Sequence, residues 1–445
     1  MLTVYLATQP SSDDTNRFLI YQILITALFD AHCHSEAYEV CEEASKLFPD
    51  NGFFSGTLAS LKVMLRNKCM QSDAIGGTTS EKRDRIQDGG VKTILYPWMQ
   101  ERHRRRDGTL IDGINKQFIT ADAPFKLGYS PMAAHEDNAF LGILATKDIE
   151  AGNTVVIDRT AIGASNASSE SVCANCYKPL TGCPFMSGRF MSPCCNKNSN
   201  QDGEEQSNGF HASHSSNEKL LQFCTEGCFN VAAETNHRTL CKQDFSWLLD
   251  PSTPSFENSS VLRSQLMLRL LAACAQEGSD NHPLDHPLIA RLVSQTGNDH
   301  VDVFTLKQSI INPIRILEQL GIDVYANPNF DTWVTHTIWT RLANNKHGFS
   351  TGSAYVDCLG PLFSLFNHSC EPNVRYVSDG GTTVRFVALR DVKEGEELLN
   401  SYRNVERTGL EERTEALWPW FEGPCRCSKC ERERGAGAER KPWEA

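Results

Sequence analysis

Apolar side chains recur at helical spacing near the start of the chain and again in its middle. Two runs within residues 1–70 predict helices, and their apolar members are Phe18, Leu19, Ile23, Ile25 and Leu28, then Ala37, Val40, Cys41, Ala44 and Leu47. Further helices are predicted over residues 261–275, 304–320 and 331–342. Asp331 is the expected N-cap of the last one, because its carboxylate can accept a free N–H of the first turn.

Alternating apolar and polar side chains predict strands on both sides of the second helical region. Residues 140–157 alternate around an Asp-to-Gly turn, which predicts a hairpin-like pair of strands. Residues 374–376 and 383–389 alternate in the same way, and residues 391–395 are predicted to form a turn. The next strand is expected to begin at residues 398–399.

Several stretches differ in composition from the helices and strands around them. Residues 71–92 are rich in glycine, serine and charged residues, which predicts a flexible linker. Residues 93–125 are predicted to contain a linking helix that opens at Tyr96, with a proline in its first turn. Its basic run over 102–106 is assigned to a solvated helix face, with a substrate or nucleic-acid contact as the alternative. Two further segments are predicted to be disordered, residues 196–219 and 432–445.

The segment 35–50 resembles the second half of a tetratricopeptide-type repeat. In such a repeat a helix ends at a proline-marked turn, as this segment does at Pro49. A single unit of this kind is visible in the sequence. A tetratricopeptide-like unit and a generic helical hairpin therefore both remain open for residues 1–70.

Three cysteines near the C-terminus have the spacing of metal ligands. Cys425, Cys427 and Cys430 can supply three thiolates to one zinc ion, but a structural zinc takes four ligands in a tetrahedron. Cys370 is the candidate for the fourth ligand, because it lies in the polar, proline-containing segment 367–373, where an inert core thiol is unexpected. A zinc ion held in this way would clamp the C-terminal segment over whatever residues 367–373 bind.

A second group of possible zinc ligands lies in the middle of the chain. Its members are Cys173, Cys176, Cys224 and Cys228 for one site, and His237, Cys241, Cys194 and Cys195 for another, with Cys183 as an alternative ligand. The spacing of His237 and Cys241 places both on one face of a helix. With the C-terminal site, the sequence predicts two to three zinc ions.

Composition narrows the classes of function. The formal net charge of −12 argues against a general nucleic-acid binder and suits either a basic substrate, such as a lysine-rich peptide, or ordinary solubility. Seventeen cysteines with no recognisable signal peptide indicate reduced thiols and metal ligands. The apolar run over 18–29 is interrupted by Gln22 and Thr26 and is too short to span a bilayer. We therefore expect a location in the cytoplasm or nucleus and no membrane partner.

Three motifs follow one another in the last third of the chain: N-H-S-C-x-P-N over 367–373, G-E-E-L-x-x-S-Y over 395–402 and C-x-C-x-x-C over 425–430. In this order and at these separations they resemble the core and post-SET signature of the SET-domain protein methyltransferases. The predicted strands over 140–157 resemble the first strand pair of that family, with Phe140 in place of its first glycine and Gly142 as the second. The cysteines and histidine of the insert resemble a MYND-type double zinc module, as in the SET-and-MYND family.

The resemblance implies an α+β fold. A β-rich, split SET domain would occupy residues 126–170 and 331–405, and a MYND-like zinc insert would occupy residues 171–245. A helical insert would follow over 258–330, and a post-SET zinc segment would occupy 406–431.

The resemblance also implies a protein-lysine N-methyltransferase that uses S-adenosylmethionine and acts on a histone or another protein. Tyr402 matches the catalytic tyrosine of the family. The cofactor contacts would be Gly142, Asn345, Asn367, His368, Tyr402 and Phe421, with Asn344 as an alternative to Asn345. Methylation requires a neutral lysine amine, whose pKa of about 10.4 must be lowered by desolvation and by the positive sulfonium.

The alternative function is a catalytically inactive protein whose MYND-like module binds proline-rich peptides. Two departures from the family pattern favour it, Phe140 and His347. A phenyl group at position 140 would either crowd the cofactor or be turned away from it, because a glycine there lets the backbone approach closely. The presence of Asn367, His368 and Tyr402 with four suitably placed cysteines favours the enzyme.

Overall fold

A computed structural model of the chain describes most of its residues. They are residues 14–74, 89–92, 96–104, 106–131, 140–167, 172–180, 190–191, 221–248, 259–294, 301–351, 354–378, 382–403, 405, 408–417, 420–421 and 424–438. The chain divides into two compact units, one formed by residues 1–94 and 296–312 and the other by residues 95–295 and 313–445. No helix within the described residues is long and apolar enough to cross a membrane.

The described helices occur in both units. They are α1 Asp14–Asp30, α2 His34–Leu47, α3 Gly52–Ala74, α4 Gly108–Phe118, α5 Glu226–Ala232, α6 Arg238–Leu240, α7 Ser259–Glu277, α8 Pro287–Ala290, α9 Asn312–Gln319, α10 Thr332–Asn345, α11 Leu410–Leu417 and α12 Ser428–Ala438. A π-helical turn over Ala233–His237 joins α5 to α6, and a second over Lys307–Ile311 leads into α9. The helices predicted over 261–275, 304–320 and 331–342 are thus confirmed.

The described strands are short and form several small sheets. They are β1 Gly90–Lys92, β2 Phe125–Tyr129, β3 Leu141–Ala145, β4 Thr154–Arg159, β5 Ile162–Ser165, β6 Phe190–Met191, β7 Gln222–Phe223, β8 Val301–Val303, β9 His347–Thr351, β10 Ala354–Leu359, β11 Asn367–His368, β12 Val374–Ser378, β13 Thr383–Ala388 and β14 Leu399–Asn400. The antiparallel sheets have the orders β1-β8, β5-β10-β9, β12-β13-β4, β2-β3 and β6-β7, whereas β11 and β14 pair in parallel. Helices and sheets together confirm the predicted α+β class.

Helices α1, α2 and α3 form the core of the first unit. Its buried side chains are Tyr21, Leu24, Ile25, Leu28, Cys33, Ala37, Cys41, Ala44, Phe54 and Leu61. The carboxylate of Glu36 on α2 accepts hydrogen bonds from the backbone N–H groups of Leu306 and Lys307, at 2.7 and 3.2 Å. Residues 301–312 therefore belong with the N-terminal helices to the first unit. The tetratricopeptide-like reading stays a prediction.

The predicted linker over 71–92 is ordered at both of its ends. Helix α3 continues to Ala74, and β1 pairs with β8 from Gly90 to Lys92. Gly89 has a φ of +94°, and a Cβ added there would lie 1.9 Å from the carbonyl oxygen of Phe304. Only glycine fits this close approach, so Gly89, one of the glycines that indicated flexibility, serves a tight contact instead.

Two hydrophobic cores organise the second unit. The first lies around α7 and α10, and its most buried members include Leu266, Leu270, Leu271, Ile338, Trp339 and Leu342. The second lies among β2, β3, β4, β12 and β13, and includes Leu127, Ile143, Val156, Phe366, Val374, Phe386 and Leu398. Within it the rings of Phe366 and Phe386 stack at 3.8 Å between centroids. This stack fixes the chain directly before Asn367.

The predicted hairpin over 140–157 is wrong in its pairing. Strand β3 pairs with β2, and β4 pairs with β13. The residues between β3 and β4 bond to the turn before β14, through Ile149 with Val392 and through the Asp148 carboxylate with the Glu394 N–H. An alternating pattern predicts that a segment is a strand, but the partner strand depends on which faces are buried together.

The linking helix begins later than predicted. Helix α4 starts at Gly108, because the Asp107 carboxylate caps it by accepting from the N–H groups of Thr109 and Leu110. Tyr96 opens no helix, and its hydroxyl bonds to Nδ1 of His336 at 2.9 Å. The chain then turns and forms a short 3₁₀-helix over Glu101–His103. Tyr96 thus contacts α10, where the sequence predicted the first turn of the linking helix.

The predicted disorder of the C-terminal tail is wrong up to residue 438, where α12 ends. This helix begins just after Cys427 and is tied to the segment 367–373 by an ion pair of Arg432 with Glu371 at 2.8 Å. Residues 439–445 lie outside the described residues, as do residues 196–219, the other predicted disordered segment.

Candidate functional site

Asn367 lies where three separate segments meet. Its Nδ2 donates to the carbonyl oxygen of Leu141 at 2.8 Å and to Oε1 of Glu397 at 2.6 Å. The other oxygen of Glu397 accepts from the Ser130 hydroxyl at 2.7 Å. Burial raises the pKa of Glu397, and the hydrogen bonds from Asn367 and Ser130 oppose that rise. These bonds orient the Asn367 amide and leave its Oδ1 without a donor among the described residues.

Gly142 makes this approach possible. A Cβ added to Gly142 would lie 2.1 Å from Oε1 of Glu397 and 3.2 Å from Nδ2 of Asn367. The missing side chain therefore lets the backbone of β3 approach the Asn367–Glu397 pair.

Gly142→Ala should destabilise the chain, because the new methyl group would push the Glu397 carboxylate away from Asn367 and Ser130. We expect a loss of about 1–3 kcal/mol in the free energy of unfolding, measured by denaturant titration. Gly113→Ala is the matched control, since a Cβ at that position inside α4 meets nothing within 4 Å. The control should be neutral or slightly stabilising. An equal effect of the two substitutions would contradict the tight packing at Gly142.

His368 connects Tyr402 to the C-terminal cysteines. Its Nδ1 accepts the backbone N–H of Tyr402 at 3.0 Å, so its proton resides on Nε2, which lies 3.2 Å from the sulfur of Cys370. The His368 side chain is 1% exposed. The imidazole therefore fixes the position of Tyr402 relative to Cys370, a role that the sequence resemblance did not imply.

The hydroxyl of Tyr402 forms a hydrogen bond within the protein. It donates to the carbonyl oxygen of Phe366 at 2.9 Å, directly before Asn367. Burial raises the pKa of Tyr402, so its phenol stays protonated at neutral pH. The ring lies parallel to Phe421, at 8° and 6.3 Å between centroids, and 6.0 Å from the ring of Trp420. Tyr402, His368 and Phe421, three predicted site residues, thus lie together.

The four C-terminal cysteines form one group, called here the C-terminal cluster: Cys370, Cys425, Cys427 and Cys430. Their sulfur atoms all lie within 4.8 Å of one another, and all four residues are buried. Four thiols in this arrangement suit a tetrahedral zinc ion. Cys370 therefore lies where the sequence placed the fourth ligand, on the segment that carries Asn367 and His368.

A buried arginine accompanies the C-terminal cluster. The side chain of Arg413 on α11 is 1% exposed, pairs with Glu433 on α12 and lies against Cys430. It also donates to the carbonyl oxygen of Thr408 at 2.5 Å. Four thiolates around one zinc ion carry a net negative charge, which the guanidinium beside them offsets.

A second group, called here the insert cluster, consists of Cys173, Cys176, Cys224 and Cys228. Their sulfur atoms also lie within 4.8 Å of one another, and Cys176 and Cys228 each lie 3.5 Å from Cys224. Helix α5, capped by the Thr225 hydroxyl, carries Cys228. This group could hold zinc in the same way as the C-terminal cluster.

The other predicted zinc site of the insert is only partly described. His237 is buried and its ring meets those of Phe223 and Phe229 edge to face, while Cys241 follows α6. Cys194 and Cys195, with the alternative ligand Cys183, lie outside the described residues. This site stays a prediction.

Three further predicted positions have defined environments. Nδ2 of Asn345 donates hydrogen bonds to two backbone carbonyl oxygens, those of Val293 and Arg341, both at 2.7 Å. His347 is buried and stacks on Phe363 at 4.2 Å, and burial lowers its pKa to about 4. Phe140 is 52% exposed, so its ring is turned towards solvent and does not crowd the site.

Sequence reasoning missed several residues that build the site. Glu397 and Asn373 belong to the quoted motifs but received no role. Asn373 is buried, and it bonds to the backbone of Glu397 and Leu399 at 2.8 and 2.7 Å. Glu397 and Asn373 each stand next to an apolar residue in the sequence, so both could have been suspected of burial. A buried polar side chain needs hydrogen-bond partners, which made this a usable signal for a role in the site. Ser130 carries no comparable signal.

Residues 141–403, more than half of the chain, match the family model of the SET domain. This chain belongs to the SET domain family. The match covers Gly142, Asn367, His368 and Tyr402, and it leaves Phe421 and most of the C-terminal cluster outside.

Relatives of this SET domain chain include proteins of the SET-and-MYND type. It is 38% identical over 86 residues to "Protein-lysine N-methyltransferase SMYD4" of Mus musculus, a match that covers 19% of this chain and 11% of the relative. It is 32% identical over 98 residues to "SET domain and MYND-type zinc finger protein 6" of Schizosaccharomyces pombe, covering 22% and 20%. The matches thus span about a fifth or less of these relatives. These relatives support the predicted resemblance to the SET-and-MYND type.

Among solved structures, "Structure of Rubisco LSMT bound to AdoMet" is similar to this SET domain chain with a TM-score of 0.27 and 13% identity. That match covers 74% of this chain and 57% of the other.

Proposed function

We propose that this chain is an S-adenosylmethionine-dependent protein-lysine N-methyltransferase that acts on a histone or another protein. The observation that carries the proposal is the arrangement of Asn367, His368 and Phe421 around the held phenol of Tyr402. Membership of the SET domain family and the names of its relatives support it.

The residues around Tyr402 fit the proposed cofactor. When bound, S-adenosylmethionine supplies a methyl group on a positively charged sulfonium. Oδ1 of Asn367, whose amide is oriented by Glu397 and Leu141, can accept a hydrogen bond from the ammonium group of the cofactor. The neighbouring ring of Phe421 offers an apolar face to a base or a cation.

Tyr402 positions groups and does not remove a proton. Because burial raises its pKa, the phenol has no tendency to become a base at neutral pH. Its hydroxyl is committed as a donor to Phe366, which leaves the lone pairs of the oxygen for contacts with the reacting groups. The lysine amine would lose its proton to water as it is desolvated beside the cationic cofactor. Holding the two reactants in line then supplies much of the rate acceleration.

Two measurements test the proposal. Calorimetric titration of the zinc-loaded chain with S-adenosylmethionine should give saturable binding of one molecule per chain. Incubation with methyl-labelled S-adenosylmethionine and lysine-rich proteins, histones first, should transfer label to lysine side chains, as identified by mass spectrometry. A chain that keeps its zinc but binds no S-adenosylmethionine would overturn the proposal.

The alternative, an inactive peptide-binding protein, keeps one of the two features that favoured it, the departure from the family pattern at His347. Phe140 is turned towards solvent, and His347 is stacked on Phe363 inside the protein. Binding of proline-rich peptides at the zinc insert, and a location in the cytoplasm or nucleus, stay predictions.

A further inference from the structure

The sheet formed by β12, β13 and β4 has two faces of different character. On one face the side chains of Val156, Val384 and Phe386 are buried in the second core. Directly paired residues of antiparallel strands lie on the same face, and successive residues point to opposite faces. The strand register therefore defines the other face, called here the outer face: Thr154, Ile157, Arg159, Arg375, Val377, Thr383, Arg385 and Val387, with Leu389 directly after β13.

Apolar side chains are exposed on the outer face. Ile157 on β4 is 59% exposed, and Leu389 is 45% exposed. Val377 and Val387 are half-buried beside them. An antiparallel sheet with one face in water normally carries polar residues there, whereas a sheet with apolar residues on both faces is normally covered on both. The outer face thus has the composition of a surface that a partner covers.

The charged residues of the outer face are all positive. They are Arg159, Arg375 and Arg385, and none of the positions that define this face is an aspartate or a glutamate. Arg159 and Arg375 are exposed and form no ion pair within the described part of the chain. The neighbouring carboxylate of Asp158 points into the protein, where it accepts two backbone N–H groups. On a chain with a net charge of −12, the outer face is a local positive surface that complements an acidic partner.

Apolar and basic side chains alternate across the outer face. Arg385 lies between Ile157 and Val377 in one row across the strands. In the next row Val387 lies beside Arg375. Side chains opposite each other in such a row are about 5 Å apart. A bound segment would therefore contact apolar and cationic groups at the same time, and it must itself carry apolar and acidic side chains side by side.

Two other occupants fit the outer face less well. In a two-fold contact, a second copy of this chain would place arginines opposite arginines, and both copies have the same negative net charge. A nucleic acid has no aliphatic surface to cover the apolar residues, and the outer face offers no aromatic ring on which bases could stack. An amphipathic helix rich in leucine and glutamate carries both required kinds of side chain on one surface.

We propose that the outer face binds an acidic amphipathic helix of another protein. The apolar side chains of that helix would cover the aliphatic residues of the outer face, and its carboxylates would pair with the arginines. A guanidinium can donate two parallel hydrogen bonds to one carboxylate, which favours arginine for such contacts. The inference does not depend on the proposed function, because Phe386, which stacks on the residue before Asn367, points to the opposite face of the sheet.

The test uses a designed helical peptide as the probe. It is a fluorescein-labelled peptide of about 18 residues, built from leucine, alanine and glutamate, with the leucines at helical spacing. Its fluorescence anisotropy should rise in a saturable way with the zinc-loaded wild-type chain, and the affinity should fall as the salt concentration rises. An unlabelled peptide with lysine in place of glutamate should not displace it, although the net charge of −12 favours a basic peptide.

Charge reversal locates the binding. The double variant Arg159→Glu with Arg375→Glu should weaken binding of the acidic peptide about tenfold or more, because two attractive contacts become repulsive. The matched control, Arg66→Glu with Lys116→Glu, makes the same change in net charge at exposed positions of α3 and α4 and should bind as the wild type does. Ile157→Ser removes an exposed apolar side chain and should weaken binding about three- to tenfold. The unfolding temperature of each variant checks that it is folded.

Several results would overturn the proposal. A wild-type chain that does not bind the acidic peptide, or equal affinities in the double variant and its control, would refute it directly. If single-stranded DNA displaced the peptide and the double variant no longer bound that DNA, the outer face would belong to nucleic acids. If sedimentation showed a dimer of the wild type that the double variant does not form, the partner would be a second copy. Binding of S-adenosylmethionine is measured separately, and its absence would leave this inference intact.

Discussion

Cys427→Ser should release one zinc ion per chain and lower the affinity for S-adenosylmethionine by about tenfold or more. A structural zinc site contributes about 10 kcal/mol or more to the order of its segment, and serine cannot replace a thiolate ligand. Cys427 shares the C-terminal cluster with Cys370, whose sulfur contacts His368, and His368 accepts the N–H of Tyr402. Loss of the ion should therefore release Phe421 and remove the support that His368 gives to Tyr402. Metal analysis and calorimetric titration measure the two effects.

Cys176→Ser is the matched control for this experiment. It makes the same chemical change in the insert cluster and should also release one zinc ion. No hydrogen bond or ring contact among the described residues joins Cys176 to His368 or Tyr402, so cofactor affinity should stay near normal. Unchanged affinity in Cys427→Ser would refute the clamp. An equal loss in both variants would mean that zinc supports the fold as a whole.

Tyr402→Phe should slow methyl transfer about a hundredfold while leaving the affinity for S-adenosylmethionine close to normal. The variant removes only the hydroxyl that Phe366 holds in place, and it keeps the ring beside Phe421. Single-turnover transfer of labelled methyl groups measures the chemical step, and calorimetry measures cofactor binding separately.

Tyr177→Phe provides a control of the same kind. Tyr177 is also buried, and its hydroxyl also donates to a backbone carbonyl, that of Gly163. This control should lose about 1 kcal/mol of stability and no activity. A rate for Tyr402→Phe equal to that of the wild type would remove the hydroxyl from the mechanism, whereas equally slowed transfer in both variants would indicate a general effect on the fold.

The two four-cysteine groups were largely predictable from the sequence. The pairs Cys173–Cys176 and Cys224–Cys228 and the C-terminal triplet carry metal-ligand spacing in a few residues, so local geometry already brings their sulfur atoms together. The fourth member, Cys370, followed from a count of ligands and from the polar residues around it. Both four-cysteine groups assemble as predicted.

Pairing and element boundaries were less predictable. The alternation over 140–157 correctly predicted strands, yet β3 and β4 pair with β2 and β13 and not with each other. The linking helix begins at Gly108, after the Asp107 cap, and not at Tyr96, whose hydroxyl bonds to His336 on α10. In both cases a tertiary contact overrode a plausible local choice.

The sequence by itself determined the α+β class, the helices, the two cysteine groups and the order of the motifs that mark a SET domain. Each depends on residue spacing within a short window, where the period of a helix, a strand or a set of metal ligands can be recognised. Only the tertiary structure decided that Glu397 orients Asn367 and that His368 joins Tyr402 to Cys370. Ser130 and Glu397 are 267 residues apart and still share a hydrogen bond. Contacts of that range depend on which surfaces pack together, and no local pattern encodes them.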